Sequence, residues 1–364
     1  MRILELLFHD FRAFRGPHRI SFTDPLTDAV RPISVLAGTN GTGKTTILDA
    51  IEALLAFALD PDQPRDLVRE AMETGMIRMT IEVDLPAANG QTVALPGLLP
   101  SMLHIAVGRK DLVRGNPERE WPNLVCWLVQ RGKQGPPLRR QSRLAKQLRE
   151  QVSGMLQGQT PLEGGLLYFP HNRWLAVSDR GGAIEPPSEQ RSWLFHHTAS
   201  DKWTGSLEQL WVWQNYLDLE RGAQGRTSLQ PFVEAVEEIL GPNRAIQVFE
   251  GRALVQPAWR DGEKNEGWLR LNQLPSGEQQ VLLLFGELAR RRRKGAVLMI
   301  DEPEISLHPT LQRQVVHQLR QFARAGDMQV ILATHSLEVL RAVHESERIL
   351  LDRLDQADNA EASI

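Results

Sequence analysis

Gly38-Thr39-Asn40-Gly41-Thr42-Gly43-Lys44-Thr45 has the spacing G-x-x-x-x-G-K-[ST] of a phosphate-binding loop. Ahead of it, Ile33 to Ala37 is a short apolar run that reads as a strand. Behind it, Thr45 to Leu59 carries Ile47, Leu48, Ile51, Leu54 and Leu55 at helical spacing. Each residue type has a chemical role. Gly38, Gly41 and Gly43, with Asn40 between them, let backbone N–H groups turn toward an anion. The helix N-terminus at Lys44, Thr45 and Thr46 adds a fixed positive end. Lys44 reaches the β- and γ-phosphates, and the Thr45 hydroxyl ligates Mg²⁺. A Gly-rich turn with an incidental lysine is the alternative, which the strand, the helix and the spacing together disfavour. The pattern implies nucleotide binding.

Composition narrows the setting. The 364 residues allow one large or two medium domains, and 41% hydrophobic content suffices for a buried core. The 42 basic and 45 acidic residues leave a net charge of −3, so no global charge marks nucleic acid as a partner, although a local patch could still serve. A single cysteine, Cys126, excludes an intrachain disulfide framework and fits a reducing cytoplasm. The flanking Leu124, Val125 and Trp127 place it in a buried strand. Apolar runs such as Val281 to Phe285 are too short to cross a bilayer. Glu5 and Asp10 interrupt the N-terminal apolar stretch, so no signal peptide is read there. The expectation is a soluble cytoplasmic protein without membrane contact.

Along the chain, Arg2 to Phe8 and His18 to Phe22 read as strands with a turn near Phe14 to Pro17, and Pro61 and Pro64 stop the helix after the loop. Met76 to Val83, Ser101 to Gly108 and Leu124 to Gln130 alternate as half-buried strands of an antiparallel meander. A charged helix over Arg139 to Leu156 and a strand over Leu166 to Phe169 follow. Residues 176–200 read as a Gly-, Pro- and Ser-rich mobile loop. Two helices come next, Leu207 to Glu220 and Leu229 to Leu240. The tryptophans of the first read as buried packing rather than a base-stacking surface. Past Ile246 come a helix from Gly277 to Arg292, a strand Val297 to Ile300, a helix Pro309 to Ala325 and a strand Gln329 to Ala333. That order implies a parallel sheet covered on both faces. The fold class is α/β. The expected division is 1–60 and 246–364 as two parts of one nucleotide-binding head, with 61–245 inserted between them.

Val297 to Ile300 runs into Asp301-Glu302, the form of a Walker B strand in a protein with a phosphate loop. Asp301 would hold Mg²⁺, and Glu302 would orient or deprotonate the attacking water. Leu274-Pro275-Ser276-Gly277-Glu278-Gln279-Gln280 reads as an N-cap serine at a helix start whose free N–H groups could hold an anion. It lies a couple of dozen residues before Asp301, as the signature loop of ABC-type ATPases does, with Pro275 and Glu278 as departures from L-S-G-G-Q. Ile331-Leu332-Ala333-Thr334-His335-Ser336 ends a strand in a histidine, as the switch histidine does.

With these four elements in order, the chain resembles ABC-type ATPases of the RecF/SMC/OLD class. Leu7 to Phe14 looks like the opening strand of that class, and Asp301 to Pro309 is similar to its Walker B and D-loop in the OLD-like branch. The resemblance covers 1–55 and 265–351. It implies an ABC-type head with a mixed or parallel sheet flanked by helices, an N-terminal antiparallel β-subdomain and an inserted α+β subdomain. It departs from the class in lacking a long coiled coil and, after the switch histidine, room for a Toprim nuclease. No Q-loop glutamine stands out; Gln130 and the His171-Asn172-Arg173 segment are the candidates.

The resemblance further implies ATP and Mg²⁺ as cofactors. Ser276, Gly277 and Glu278 of one subunit would close on ATP held by Lys44 and Thr45 of another, in a head-to-tail homodimer. Glu302 would drive hydrolysis with His335 at the γ-phosphate, and Arg12 would lie near the base. The role stays open between three readings. One is a switch in a bacterial anti-phage or DNA-transaction complex with a separate effector or nuclease. Another is a RecF-like repair ATPase that binds duplex DNA itself. A nucleotide-gated scaffold with little turnover is a third. Arg290 to Lys294 is either a phosphate-contacting run or a solvated helix end whose cations favour the dipole.

Overall fold

The N-terminal apolar stretch forms β1 (Arg2–Phe11), which turns into β2 (Phe14–Ser21). The turn sits at Arg12-Ala13, ahead of the position expected from Gly16 and Pro17, and Asp10 and Arg12 both take left-handed backbone there. β3 (Ile33–Ala37) enters the phosphate loop, followed by α1 (Lys44–Leu59) and α2 (Asp66–Thr74). Next come β4 (Met76–Val83), β5 (Ser101–Arg109), β6 (Leu124–Val129), β7 (Leu138–Arg140), α3 (Arg143–Leu156), β8 (Leu166–Phe169) and β9 (Leu194–His196). The remainder contains α4 (Leu207–Glu220), α5 (Gln230–Leu240), β10 (Ile246–Phe249), β11 (Arg252–Val255), β12 (Leu269–Arg270) and α6 (Ser276–Arg291). It ends with β13 (Val297–Asp301), α7 (Pro309–Gly326), β14 (Gln329–Thr334), α8 (Leu337–Arg341) and β15 (Arg348–Leu350). The computed structural model describes residues 1–83, 101–113, 121, 123–129, 137–175, 186, 191–198, 206–222, 230–241, 246–256 and 267–353. Gln130 and most of the loop expected over 176–200 lie outside the described residues.

One six-stranded sheet runs β15-β3-β14-β13-β8-β9, and every pairing in it is parallel. β3, β13 and β14 are buried at every position. Leu36, Met299, Ile331 and Tyr168 belong to one apolar cluster, and Val35, Ile300, Leu332 and Phe169 to another. Strands covered on both faces are predominantly apolar rather than alternating, which is the pattern that announced them.

A second six-stranded sheet, β2-β1-β4-β5-β6-β7, shares the first cluster, and α1 is sandwiched between the two sheets. Ile47, Leu48, Ile51, Leu54 and Leu55 of α1 are fully buried, each contributing roughly 2 kcal/mol of apolar transfer. This sheet corrects the expected meander, because β5 and β6 pair in parallel. Alternation reports which face is buried, not the direction of the neighbouring strand. The charged helix is also shorter than expected. It starts at Arg143, capped by the Ser142 hydroxyl accepting from the Ala145 N–H, while Leu138–Arg140 pairs with β6. Strands from 61–245 enter both large sheets, so β8 and β9 are structural parts of the parallel sheet.

The second cluster packs α4, α5, α6 and α7 on the outer face of the parallel sheet, beside the antiparallel sheet β10-β11-β12. Trp211 is buried in it as packing, whereas Trp213 stacks on Tyr216 with centroids 5.3 Å apart. Cys126 is buried on β6, as read. Among the described residues, no helix is long and apolar enough to cross a membrane.

Candidate functional site

Parallel strands present their C-terminal ends along one edge, and loops that leave that edge share one crevice. The phosphate loop leaves β3 there. Gly43 caps α1 with φ of 91°, a left-handed conformation that suits glycine. A Cβ on Gly43 would lie 2.7 Å from the Phe14 ring, so only glycine lets the loop close against the β1–β2 turn. Lys44 is buried, and its Nζ donates to the carbonyls of Gly38 at 2.7 Å and Thr39 at 2.8 Å. Thr39 donates its backbone N–H and hydroxyl to the Asp352 carboxylate, at 3.2 and 3.1 Å. Asn40, Gly41 and Thr42 line a cavity of about 250 Å³ with Ala13, Phe14, His18 and Leu351. Arg12 is not among these lining residues. Its guanidinium grips Glu70 of α2 with two nitrogens, at 3.0 and 2.7 Å.

At the end of β13, Asp301 accepts a hydrogen bond from the Thr45 hydroxyl at 2.9 Å. Its side chain is nearly inaccessible, and burial holds its carboxyl above the ordinary range, against the opposing pull of Thr45 and His171. His171 Nδ1 stands 3.6 Å away. A desolvated carboxylate beside a hydroxyl is a hard-oxygen donor set that suits Mg²⁺. Glu302 follows with φ of 50°, and its carboxylate lies 3.6 Å from Nδ1 of His335, beyond β14. Glu304, which sequence reasoning passed over, holds the switch segment. Its Oε1 accepts from the Thr334 hydroxyl at 2.6 Å and from the His335 N–H at 3.1 Å. Only its place in Asp-Glu-Pro-Glu could have flagged it.

Arg173, in the segment weighed for a Q-loop, is buried beneath these acids. It donates to the main-chain oxygens of Pro170, Asp301 and Glu302 at 3.0, 2.7 and 2.8 Å. Desolvation pulls its pKa down to about 10, against the nearby charges of Asp301, Glu304 and Glu302. A further polar network joins α1 to the parallel sheet. The Tyr168 hydroxyl donates to Asp49 at 3.0 Å, and Glu52 pairs with His196 at 3.0 Å and Arg65 at 2.7 Å. Burial raises the Asp49 carboxyl.

The signature segment begins α6, but the N-cap residue is Pro275 rather than Ser276, and no side chain caps the helix. Ser276 and Gly277 are the first helical residues, followed by Glu278. A Cβ on Gly277 would fall 2.8 Å from the Ser306 carbonyl, so α6 and the D-loop touch through backbone. Among the described residues, neither Ser276 nor Gly277 is hydrogen-bonded to the phosphate loop of its own chain. At the other end of α6 the arginine run is committed internally. Arg290 and Arg291 pair with Glu287, and Arg291 also covers Phe195. Arg292 donates to the Ala325 carbonyl at 2.7 Å. Arg293 is buried and donates to the carbonyls of Ser192, Leu166 and Trp193.

A phosphate loop after β3, with Asp301 and Glu302 at the next strand but one, defines a P-loop nucleotide-binding protein of the α/β class. Comparisons with known proteins agree. Residues 197–341 match the family described as "AAA domain, putative AbiEii toxin, Type IV TA system", and residues 5–89 match one described as "AAA domain". The OLD nuclease of Thermus scotoductus is 25% identical over 356 residues, covering 91% of this chain and 60% of the relative. The lipoprotein-releasing system ATP-binding protein LolD of Ruegeria pomeroyi is 30% identical over 132 residues, covering 35% of this chain and 55% of that protein. The chain therefore spans less than two thirds of either curated relative. Among solved structures, the SMC head domain from Thermotoga maritima is 15% identical with a TM-score of 0.43, over 96% of this chain and 94% of that one. These likenesses support a P-loop ATPase of the RecF/SMC/OLD-like class.

Proposed function

We propose that this protein binds ATP with Mg²⁺ and hydrolyses it within a head-to-tail pair of identical subunits, as a switch read by a separate effector. One observation carries the hydrolytic part. Thr45, at the start of α1, meets Asp301 at 2.9 Å, and the next carboxylate, Glu302, stands 3.6 Å from His335, so two pairs meet at the adjacent acids that end β13. Lys44 and the N–H groups of Gly41 to Thr46 would hold the phosphates. Thr45 and Asp301 would hold the metal ion, whose charge offsets that of the phosphates. Glu302 would take the proton of the attacking water, and His335 would steady the γ-phosphate from the other side. The cavity beside Phe14 and His18 has room for part of the base and sugar, whereas Arg12, held by Glu70, does not line it.

The homodimer reading is supported by Ser276 and Gly277, which, among the described residues, make no hydrogen bond to their own phosphate loop and so suit the nucleotide of a second subunit. The likeness to an OLD nuclease supports a nuclease or defence effector as the partner, in an anti-phage or DNA-transaction setting. A direct duplex-DNA role has lost its best local support, because Arg290 to Arg293 are engaged within the chain.

The test is ATP turnover and sedimentation of wild type and Glu302→Gln, with and without duplex DNA. The expected result is Mg²⁺-dependent turnover that falls about 100-fold or more in Glu302→Gln, with ATP trapping that variant as a dimer. Turnover that survives the substitution would remove Glu302 from its role. Strong stimulation by DNA would favour the repair reading.

A further inference from the structure

Glu302 combines two features that need support: it is placed to act on water, and its backbone is left-handed, with φ of 50°. A residue with a Cβ keeps such a conformation only where its surroundings over-determine it. Here both flanking peptides are held. The Glu302 N–H donates to the Ala333 carbonyl at 2.8 Å, and the Glu302 carbonyl receives Nη2 of Arg173 at 2.8 Å. The neighbouring Asp301 carbonyl receives Nη1 of the same guanidinium at 2.7 Å. A planar fork can serve two adjacent carbonyls at once, which a lysine ammonium cannot do with the same fixed geometry.

The support extends further. The carbonyl of Arg173 accepts from Nε2 of Gln280 at 3.0 Å, and Gln280 lies one turn along α6 from Ser276 and Gly277. A single chain of bonds thus runs from the start of α6 through Arg173 to the main chain of the hydrolytic acid.

We propose that Arg173 is a positioning residue that holds the Glu302 carboxylate in its working direction, and that Gln280 ties this clamp to the signature segment. The inference rests on the hydrolytic reading above. When α6 closes on the nucleotide of a second subunit, any shift of its first turn reaches Glu302 through Gln280 and Arg173. Nucleotide binding itself uses other groups and stays outside this chain.

The experiment compares wild type, Arg173→Lys, Arg173→Met and Gln280→Leu for steady-state ATP turnover, affinity for a fluorescent ATP analogue and thermal midpoint. Arg173→Met is also combined with Glu302→Gln and followed in single turnover. Arg173→Met is expected to lower kcat about 100-fold, Arg173→Lys and Gln280→Leu about tenfold, all with analogue affinity within about threefold of wild type. In the Glu302→Gln background, Arg173→Met should cause no further loss, because the clamp acts through the missing carboxylate. Should Arg173→Met not fold, Arg173→Lys and Gln280→Leu carry the test.

Wild-type turnover in both of those variants, while Glu302→Gln is slow, would overturn the inference and leave the hydrolytic reading standing. An equal further loss in the double variant would also overturn it, by making Arg173 a general structural support. Absence of hydrolysis by wild type would remove the hydrolytic reading and this inference together.

Discussion

The Thr45 hydroxyl donates to the Asp301 carboxylate at 2.9 Å, joining two residues 256 positions apart in the chain. The bond ties the start of α1 to the end of β13. It also pairs the two oxygen donors that the phosphate loop and the Walker B strand contribute separately. Burial has pushed the Asp301 carboxyl upward because desolvation penalises its charged form, and a cation placed beside it would offset that penalty.

Gly43→Ala should damage the phosphate loop more than its size implies. The new methyl would sit 2.7 Å from the Phe14 ring at a backbone φ of 91°. Left-handed backbone alone costs a non-glycine residue roughly 1–2 kcal/mol. Titration with a fluorescent ATP analogue should show affinity down about 100-fold, with a lower thermal midpoint. Unchanged affinity would mean that Phe14 yields easily.

Gly277→Ala should separate binding from dimerisation. The added carbon would approach the Ser306 carbonyl to 2.8 Å and push α6 off the D-loop. Nucleotide affinity of the single subunit should stay at the wild-type value, while the ATP-dependent dimer weakens about tenfold or more in sedimentation.

Glu52→Gln should be destabilising in a pH-dependent way. Burial alone would raise the Glu52 carboxyl, but the hydrogen bonds and charges of His196 and Arg65 outweigh it and hold the value below the ordinary 4.5. A depressed folded value means that the contribution is complete above the unfolded value and fades as pH falls through the folded one. Urea unfolding should therefore show wild type more stable by about 1–3 kcal/mol at neutral pH. The gap should narrow only below pH 4.5, the ordinary value of the group. A gap that persisted in acid would place the effect in packing.

Arg293→Gln should behave as a core substitution. Its guanidinium serves three carbonyls on β8 and beside β9, so stability should fall by about 2–3 kcal/mol in denaturant unfolding. Any affinity for duplex DNA should keep its salt dependence. A salt slope lowered by about one would show a phosphate contact instead.

The phosphate loop, the parallel sheet and the acid pair were legible in the residues because each is a local pattern. Loop spacing, apolar runs and strand-end carboxylates need no distant partner to be recognised. The sequence by itself therefore determined an α/β P-loop protein with Lys44 and Thr45 at a helix start and Asp301, Glu302 and His335 at strand ends. Tertiary structure alone decided the parallel pairing of β5 and β6, the grip of Arg12 on Glu70, and the burial of Arg293. It also decided that Glu304 holds the switch segment and that Arg173 lies under the Walker B carbonyls. Each depends on which group a long side chain or strand edge meets across many residues of chain. That choice is made by packing of the whole fold, which no spacing along the chain records.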